Sequence, residues 1–496
     1  MEAVVGSCGR LCVPAARTDE LLGISVRKLK ALLTVRKKMY KGPDLVAKGY
    51  SEVEVDGTDW LLLPRRLAEA LPGRCVNVMA AEQTAEMRER LAAPFPAGAV
   101  VLFDYQIACA EAVMRSFFSP QRVAVGAGMG YLNLPAGRGK TLVGVEVARQ
   151  VGGRCAVVAP RAQICEQWLR AFEDHIPGVS AAMAGAVPPD ERAALREKTV
   201  VIMSPALALK ETDWSQYALV LIDEAHMMCA QNWRQVLERQ TAARVLGLSA
   251  TTEERADEMD PVAKWHLGEP LRARTLPGFE AMDVEFYGAL RVVDVRDPQL
   301  ARQIQGMSHS EAQQELHRWP AWVAAVAHEV QQLLDRHEAE DLREGRGPAG
   351  APPAEHNVIV FAEHREAVAA YAEALRGAGA VAPEVAEMMG GTAGGDAVRA
   401  LRGARVIVTT YSYSAVGISM DRFTAAVFTT TRKTQLYQIL SRILRVRSDT
   451  AVRRDYVAMV GPRRNWRDHC RAMRACAEMQ GFAAEVERVA ELPQDA

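Results

Sequence analysis

The spacing of hydrophobic positions changes character from one region of the chain to the next. Ser51-Glu-Val-Glu-Val55 and Trp60-Leu-Leu-Leu-Pro64 are short strand-like runs bounded by turn residues. They predict a small α+β accessory domain over residues 1–98, closing at the turn-rich Ala93-Pro-Phe-Pro-Ala-Gly98. Continuous apolar runs follow: Ala156-Val-Val-Ala159, Val200-Val-Ile-Met203, Ala218-Leu-Val-Leu-Ile222 and Arg244-Val-Leu-Gly-Leu248. Unbroken hydrophobicity is what a strand requires when both faces of its sheet are covered, so residues 99–278 are expected to form βαβ units on a parallel sheet. The pattern restarts over 279–462. Strands are expected at Val284–Val293, Asn357–Phe361, Arg405–Thr410 and Ala425–Thr429, with a helix over Trp319–His337. A Pro/Gly/Ala-rich loop at 341–356 is expected to be mobile, and 463–496 reads as a helical tail, with the helical pattern running from Asn465 to Val489.

Composition narrows the class. With 49% hydrophobic and 24% charged residues, the chain has the makings of large cores and is not a disordered polyelectrolyte. No apolar run approaches the roughly 20 residues that span a bilayer, and no secretory leader pattern opens the chain. The cysteines are scattered: Cys8/Cys12 and Cys470/Cys476 lack zinc-site spacing and read as reduced thiols. A net charge of −1 does not advertise a polyanionic partner. The stretch Leu21–Pro43 is different, holding Arg27, Lys28, Lys30, Arg36, Lys37, Lys38 and Lys41 with no acidic residue. It is either a phosphate-contacting patch or the solvated face of a small domain, and charge alone does not choose.

Two motifs carry chemistry. Leu132-Asn-Leu-Pro-Ala-Gly137-Arg138-Gly139-Lys140-Thr141 sets a glycine-rich turn between a short apolar strand and an amphipathic helix. Backbone N–H groups in such a turn can close around the β- and γ-phosphates of ATP, with Lys140 bridging their oxygens and Thr141 ligating Mg²⁺. A strict form of the motif has Gly where this chain has Leu134. The second motif is Leu219-Val-Leu-Ile222 running into Asp223-Glu224-Ala225-His226. Paired carboxylates at the carboxyl end of a buried strand lie where open α/β sheets bind ligand. Asp223 is expected to hold Mg²⁺ and Glu224 to orient and deprotonate the attacking water. Near the end of the second unit, Arg442 and Arg445 share a helical face, with Gln438 one turn earlier, as arginine fingers would need.

The ordered blocks between residues 102 and 445 resemble the superfamily 2 helicases. They are Leu102-Phe-Asp-Tyr105-Gln106, the Gly137–Thr141 loop, Ala159-Pro160-Arg161 through Gln167-Trp168, Ser204-Pro205, Asp223–His226, Ser249-Ala250-Thr251, Val358–Arg365, Thr409–Gly417 and Gln438–Arg445. The resemblance implies two tandem RecA-like domains with ATP in the cleft between them. In that arrangement Gln106 reads adenine, Gly417 contributes to the nucleotide site, and Gln438, Arg442 and Arg445 join the catalytic set. His226, Ser249 and Thr251 couple hydrolysis to movement, and Arg161, Ser204, Thr409 and Thr410 touch nucleic acid. Three departures from the family pattern stand out: Thr252 where Pro is usual, Ser441 where Gly is usual, and Gly417-Ile418-Ser419 in place of Gly-x-Asp with Asp421 two places later, the one that bears on coupling. Gly247–Arg255, Lys264–Gly268 and Thr410–Gly417 look like the helicases of large eukaryotic DNA viruses, among them the poxvirus transcript-release helicase and iridovirus relatives, beside the XPB-like branch. This narrower resemblance implies an intracellular enzyme, cytoplasmic, nuclear or virion-associated, using ATP and Mg²⁺. Its substrate would be DNA, as a single strand or duplex junction, in viral transcription termination, repair or replication, with the transcription machinery as a partner and no membrane. The alternatives are a translocase that displaces a polymerase without unwinding, an RNA-directed DEAH enzyme, and an ATP-regulated binding scaffold.

Overall fold

The computed structural model describes residues 3–38, 43–71, 73–81, 83–98, 100–251, 257–279, 288–343, 357–377, 384–389, 404–411, 423–432, 436–440, 443, 453–478 and 482–489. The chain divides into two units, Met1–Asp283 and Val284–Ala496.

The first unit opens on a five-stranded sheet ordered Ser51–Val55, Thr58–Pro64, Arg10–Pro14, Ala3–Val5, Cys75–Asn77. Its pairings are antiparallel except for the last, where Ala3–Val5 runs parallel to Cys75–Asn77. Leu11, Val13, Leu61 and Leu63 point to one side and build a core of their own. This domain is fastened to the α/β part by buried groups. Arg65 is fully buried, and its guanidinium donates to the carbonyl of Ala242 at 2.5 Å. Gly9, at φ +74°, turns the first hairpin so close to Gln240 that a Cβ would lie 2.4 Å from that carbonyl oxygen.

The α/β part of this unit is an all-parallel sheet of seven strands, ordered Ala181–Met183, Val200–Met203, Cys155–Val158, Leu219–Asp223, Arg244–Ser249, Met129–Asn133, Leu271–Arg272. The four apolar runs of the sequence are its central strands, and Val200–Met203 and Leu219–Asp223 are buried throughout. Helices Asp104–Phe117, Lys140–Val151 and Ala162–His175 bury Val113, Val145 and Trp168.

The second unit repeats this topology. Its parallel sheet is ordered Val385–Met388, Val406–Thr410, Asn357–Ala362, Phe423–Phe428, Asp455–Val460, Ala289–Val295, Ala483–Val489. Numbering each sheet's strands in chain order, both read third, fourth, second, fifth, sixth, first, seventh. The architecture is thus two tandem RecA-like sheets with a small N-terminal α+β domain.

Two expectations change. The helix begun near Asn465 spans Arg464–Glu478 and stops; Ala483–Val489 is a strand paired along its whole length with Ala289–Val295. The tail's apolar positions serve a helix up to Cys476 and Ala477, after which alternating Ala-Ala-Glu-Val-Glu-Arg-Val fits an edge position beside a buried strand. The strand expected from Val284 is described only over Ala289–Val295. The predicted helix over Trp319–His337 runs Pro320–Arg343, with Trp322 fully buried. Most of the loop expected to be mobile, residues 344–356, lies outside the described residues.

Candidate active site

The phosphate loop leaves the carboxyl end of Met129–Asn133 and enters the helix Lys140–Val151. Leu134 is buried and its N–H donates to Ser249 O at 3.1 Å, so this position still belongs to the extended segment and needs no glycine. The left-handed turns fall at Gly137 (φ +78°) and Gly139 (φ +76°). A Cβ on Gly139 would stand 2.2 Å from Gln106 Nε2. Gln106 is buried, accepts Phe103 N–H at 3.0 Å, and donates from Nε2 to Arg138 O at 3.1 Å. Tyr105 Oη donates to the same carbonyl at 3.0 Å. Phe279 meets Tyr105 edge-on with centroids 5.6 Å apart, and the Arg138 guanidinium lies 5.9 Å from the Phe279 ring.

The acidic pair closes the neighbouring strand end. Glu224 adopts φ +49°, an uncommon left-handed conformation for a side-chain-bearing residue. That turn brings Glu224 Oε1 to 3.7 Å from Lys140 Nζ and Oε2 to 3.4 Å from His226 Nδ1. Asp223 is buried, accepting the Trp168 indole N–H at 2.9 Å and the Glu224 backbone N–H at 2.9 Å. Burial first, and then the Glu224 charge, push its carboxyl up to about 6, against the opposing pull of Lys140.

From here the site runs into the third strand end. His226 Nδ1 and Ser249 Oγ are 2.8 Å apart. Ser249 Oγ donates to Thr251 O at 2.5 Å and accepts Thr251 N–H at 3.1 Å. Asn133 Nδ2 donates to Ala250 O at 2.9 Å, tying the strand before the phosphate loop to the coupling block. The first unit therefore gathers Gln106, Gly137, Arg138, Gly139, Lys140, Thr141, Asp223, Glu224, His226, Ser249 and Thr251 at adjoining strand ends. Arg161 and Ser204 follow two further strand ends of the same sheet, after Cys155–Val158 and Val200–Met203.

In the second unit Thr409 and Thr410 close the strand Val406–Thr410, and both are buried. Gln438 falls in the helix Leu436–Leu440. Arg442, Arg445 and Gly417, together with Thr252, Asp421 and Ser441, lie outside the described residues. Three residues that support the site, Trp168, Asn133 and Tyr105, have no role assigned by the motifs. Trp168 had a visible signal in the Gln167-Trp168 pair, and Asn133 had one as a polar residue ending an apolar strand; the hydrogen bond of the Tyr105 hydroxyl had none.

The donor set suits Mg·ATP. Thr141 and Asp223 offer the hard oxygen ligands that Mg²⁺ prefers, and a divalent cation beside them would offset the burial and like charge that raise Asp223. A twelve-residue helix starting at Lys140 points its amino end at the loop, as phosphate binding requires.

Residues 99–254 match the family described as "Type III restriction enzyme, res subunit". The African swine fever virus protein named "Putative ATP-dependent RNA helicase QP509L" is 26% identical over 359 residues, covering 70% of this chain and 67% of that protein. The TFIIH basal transcription factor complex helicase/translocase XPB subunit of Trypanosoma brucei brucei is 31% identical over 150 residues, 25% of this chain and 15% of that one. Among solved structures, the fragment of "a putative HsdR subunit of a type I restriction enzyme from Vibrio vulnificus" covers 97% of this chain and 85% of its own with a TM-score of 0.52 and 16% identity, a likeness of fold. The chain spans about two thirds of the length of the viral relative. The family match and the viral relative agree on a helicase-type ATP hydrolase, similar in sequence to that of African swine fever virus. Among the described residues no helix is long and apolar enough to cross a membrane.

Proposed function

We propose that this protein is an ATP-driven motor that moves along or unwinds nucleic acid, acting on DNA as a single strand or duplex junction, in viral transcription termination, repair or replication. Residues 99–278 and 279–489 are its motor domains, the second extended past 462 by the strand Ala483–Val489, and 1–98 its accessory domain. The observation that carries the reading is the continuous chain Lys140–Glu224–His226–Ser249–Thr251, which links a hydrolytic carboxylate to a neighbouring strand end. Lys140 grips the β- and γ-phosphate oxygens, Gly137, Arg138 and Gly139 offer backbone N–H groups, and Gln106 senses the base while bracing the loop. Thr141 and Asp223 would hold Mg²⁺, which when bound would supply neutralising charge for the phosphates. Glu224 orients the attacking water and takes its proton, with Lys140 Nζ 3.7 Å from its Oε1, and His226 relays the change to Ser249 and Thr251. In the second motor domain, the sequence blocks make Gln438, Arg442, Arg445 and Gly417 its candidate catalytic and nucleotide-contacting residues.

Nucleic acid is contacted at Arg161 and Ser204 and at the end of the strand carrying Thr409 and Thr410. Because both threonines are buried, their backbone rather than their side chains would meet the strand. Such contacts are largely independent of sequence and weaken with salt. An RNA substrate is the second reading, favoured by the name of the African swine fever virus relative.

The deciding experiment is ATPase activity titrated with single-stranded DNA, duplex DNA and RNA. Stimulation by nucleic acid is expected in the wild type. Glu224→Gln should lower kcat by roughly 10²–10⁴-fold while nucleotide binding persists. A wild-type rate indifferent to every nucleic acid would rule the motor out.

A further inference from the structure

The accessory domain carries a positive face that the ATP site does not use. Strands Thr34–Lys37 and Leu45–Lys48 form an antiparallel hairpin in which Thr34 faces Lys48 and Arg36 faces Val46. Alternation directs Val35, Leu45 and Ala47 onto the core of the first α/β sheet and turns Thr34, Arg36, Val46 and Lys48 the other way. Arg36 and Lys48 are exposed accordingly. The preceding helix, Val26–Leu32, buries Leu29 and exposes Arg27 and Lys28. Tyr50 joins the two elements. Lys30 Nζ of the helix lies 5.7 Å from its ring centroid, and Lys48 Nζ of the hairpin lies 5.8 Å from it. Helix and hairpin cations thus meet at one ring and make a continuous surface, extended by exposed Lys38.

Not every basic residue of the sequence run belongs to this face. Lys30 pairs with Glu52, and Lys37 with Glu258 at 3.0 Å. Among the described residues, Arg27, Lys28, Arg36, Lys38 and Lys48 form no ion pair. Lys48 lies outside the run and is brought to it only by the hairpin. In a chain of net charge −1, this is a local excess that repels itself and is relieved by a polyanion.

We propose that this face binds the phosphate backbone of duplex nucleic acid, holding the duplex on the accessory domain while the motor acts; the inference rests on the motor reading above. A duplex is favoured over a single strand because single-strand sites present exposed aromatic platforms for stacking. Tyr50, the aromatic residue of this face among the described residues, is half-buried with an ammonium near its ring from each element. Long flexible cations with no open aromatic surface among the described residues suit binding to the backbone.

The test uses the full chain carrying Arg27→Gln, Lys28→Gln, Arg36→Gln and Lys48→Gln together. Its affinity for a short fluorescent DNA duplex is measured without nucleotide across a salt series, beside the wild type. All four side chains are exposed, so the thermal midpoint and the basal ATPase rate should not change. Duplex affinity at low salt should fall at least about tenfold, and the slope of log affinity against log salt should flatten by roughly 0.9 for each phosphate no longer neutralised. Identical affinity and slope would overturn the proposal and leave an acidic protein surface as the occupant of the face. The motor reading is judged separately, by whether any of single-stranded DNA, duplex DNA or RNA stimulates the wild-type ATPase.

Discussion

Gly139 shows how narrowly the site is specified at the scale of one residue. Its left-handed backbone would cost a residue with a side chain about 1–2 kcal/mol, and a Cβ would in addition strike the Gln106 amide that braces the loop. The second constraint is not relieved by any small L residue. Gly139→Ala is therefore expected to raise the KM for ATP by about tenfold or more, since 1.4 kcal/mol is one decade of affinity. Nucleotide-free binding to nucleic acid should be retained, because the loop serves the nucleotide and not the strand ends that lead to Arg161 and Ser204. An unchanged KM would mean that the loop adapts and that Gln106 does not brace it. Glu224 holds an unusual backbone for a different reason: its φ of +49° aims the carboxylate at Lys140 and His226 rather than along the strand.

At the scale of elements, the strand Asp455–Val460 is anchored by its first residue. Asp455 is buried, accepts the Ala289 backbone N–H at 3.0 Å, and receives His337 Nε2 at 3.0 Å and Arg453 Nε at 2.7 Å. Burial works to raise its pKa, but the hydrogen bonds from His337 and Arg453 outweigh it and hold the carboxyl down to about 2. A carboxylate depressed in the folded state contributes stability that is fully present above its unfolded pKa of about 4 and is lost as the pH falls through the folded value. Thermal melts between pH 4 and pH 2 should therefore show a loss of stability that Asp455→Asn flattens. The same substitution should cost roughly 1–3 kcal/mol at neutral pH, where it leaves buried donors poorly matched. Parallel acid curves for the two proteins would show that this cluster does not set the acid limit.

For the whole molecule, the repeated strand order raises the question of how many nucleotides are bound. The first strand of each sheet occupies the same place in the order, yet Met129–Asn133 leads to a glycine-rich loop and Ala289–Val295 leads to Arg296-Asp297-Pro298. Asp297 caps the following helix by accepting the backbone N–H groups of Gln299 and Leu300, which occupies donors that a phosphate would need. Calorimetric titration with a non-hydrolysable ATP analogue should accordingly give one site per chain, abolished by Lys140→Ala. A second site of comparable affinity would contradict the assignment of a single phosphate loop.

Much of this was legible in the amino-acid order. Unbroken apolar runs of this length suit strands covered on both sides, so the central strands of both sheets follow from Val200–Met203, Leu219–Ile222 and Asn357–Phe361 alone. Glycines before Lys140-Thr141 and carboxylates at the end of a buried strand mark the candidate hydrolytic site, because few residue types supply positive φ or paired acid chemistry. Tertiary structure decided what local pattern leaves open. It made Ala483–Val489 a strand by giving it a buried neighbour, and it excused Leu134 by keeping that position extended. It tied Trp168 to Asp223 and Asn133 to Ala250 across sequence separations of 55 and 117 residues. It also sorted the basic run, pairing Lys30 and Lys37 with Glu52 and Glu258 and recruiting Lys48. The physical reason is common to all of these: periodicity records which face of an element is buried, whereas partners distant along the chain are chosen only when the faces meet.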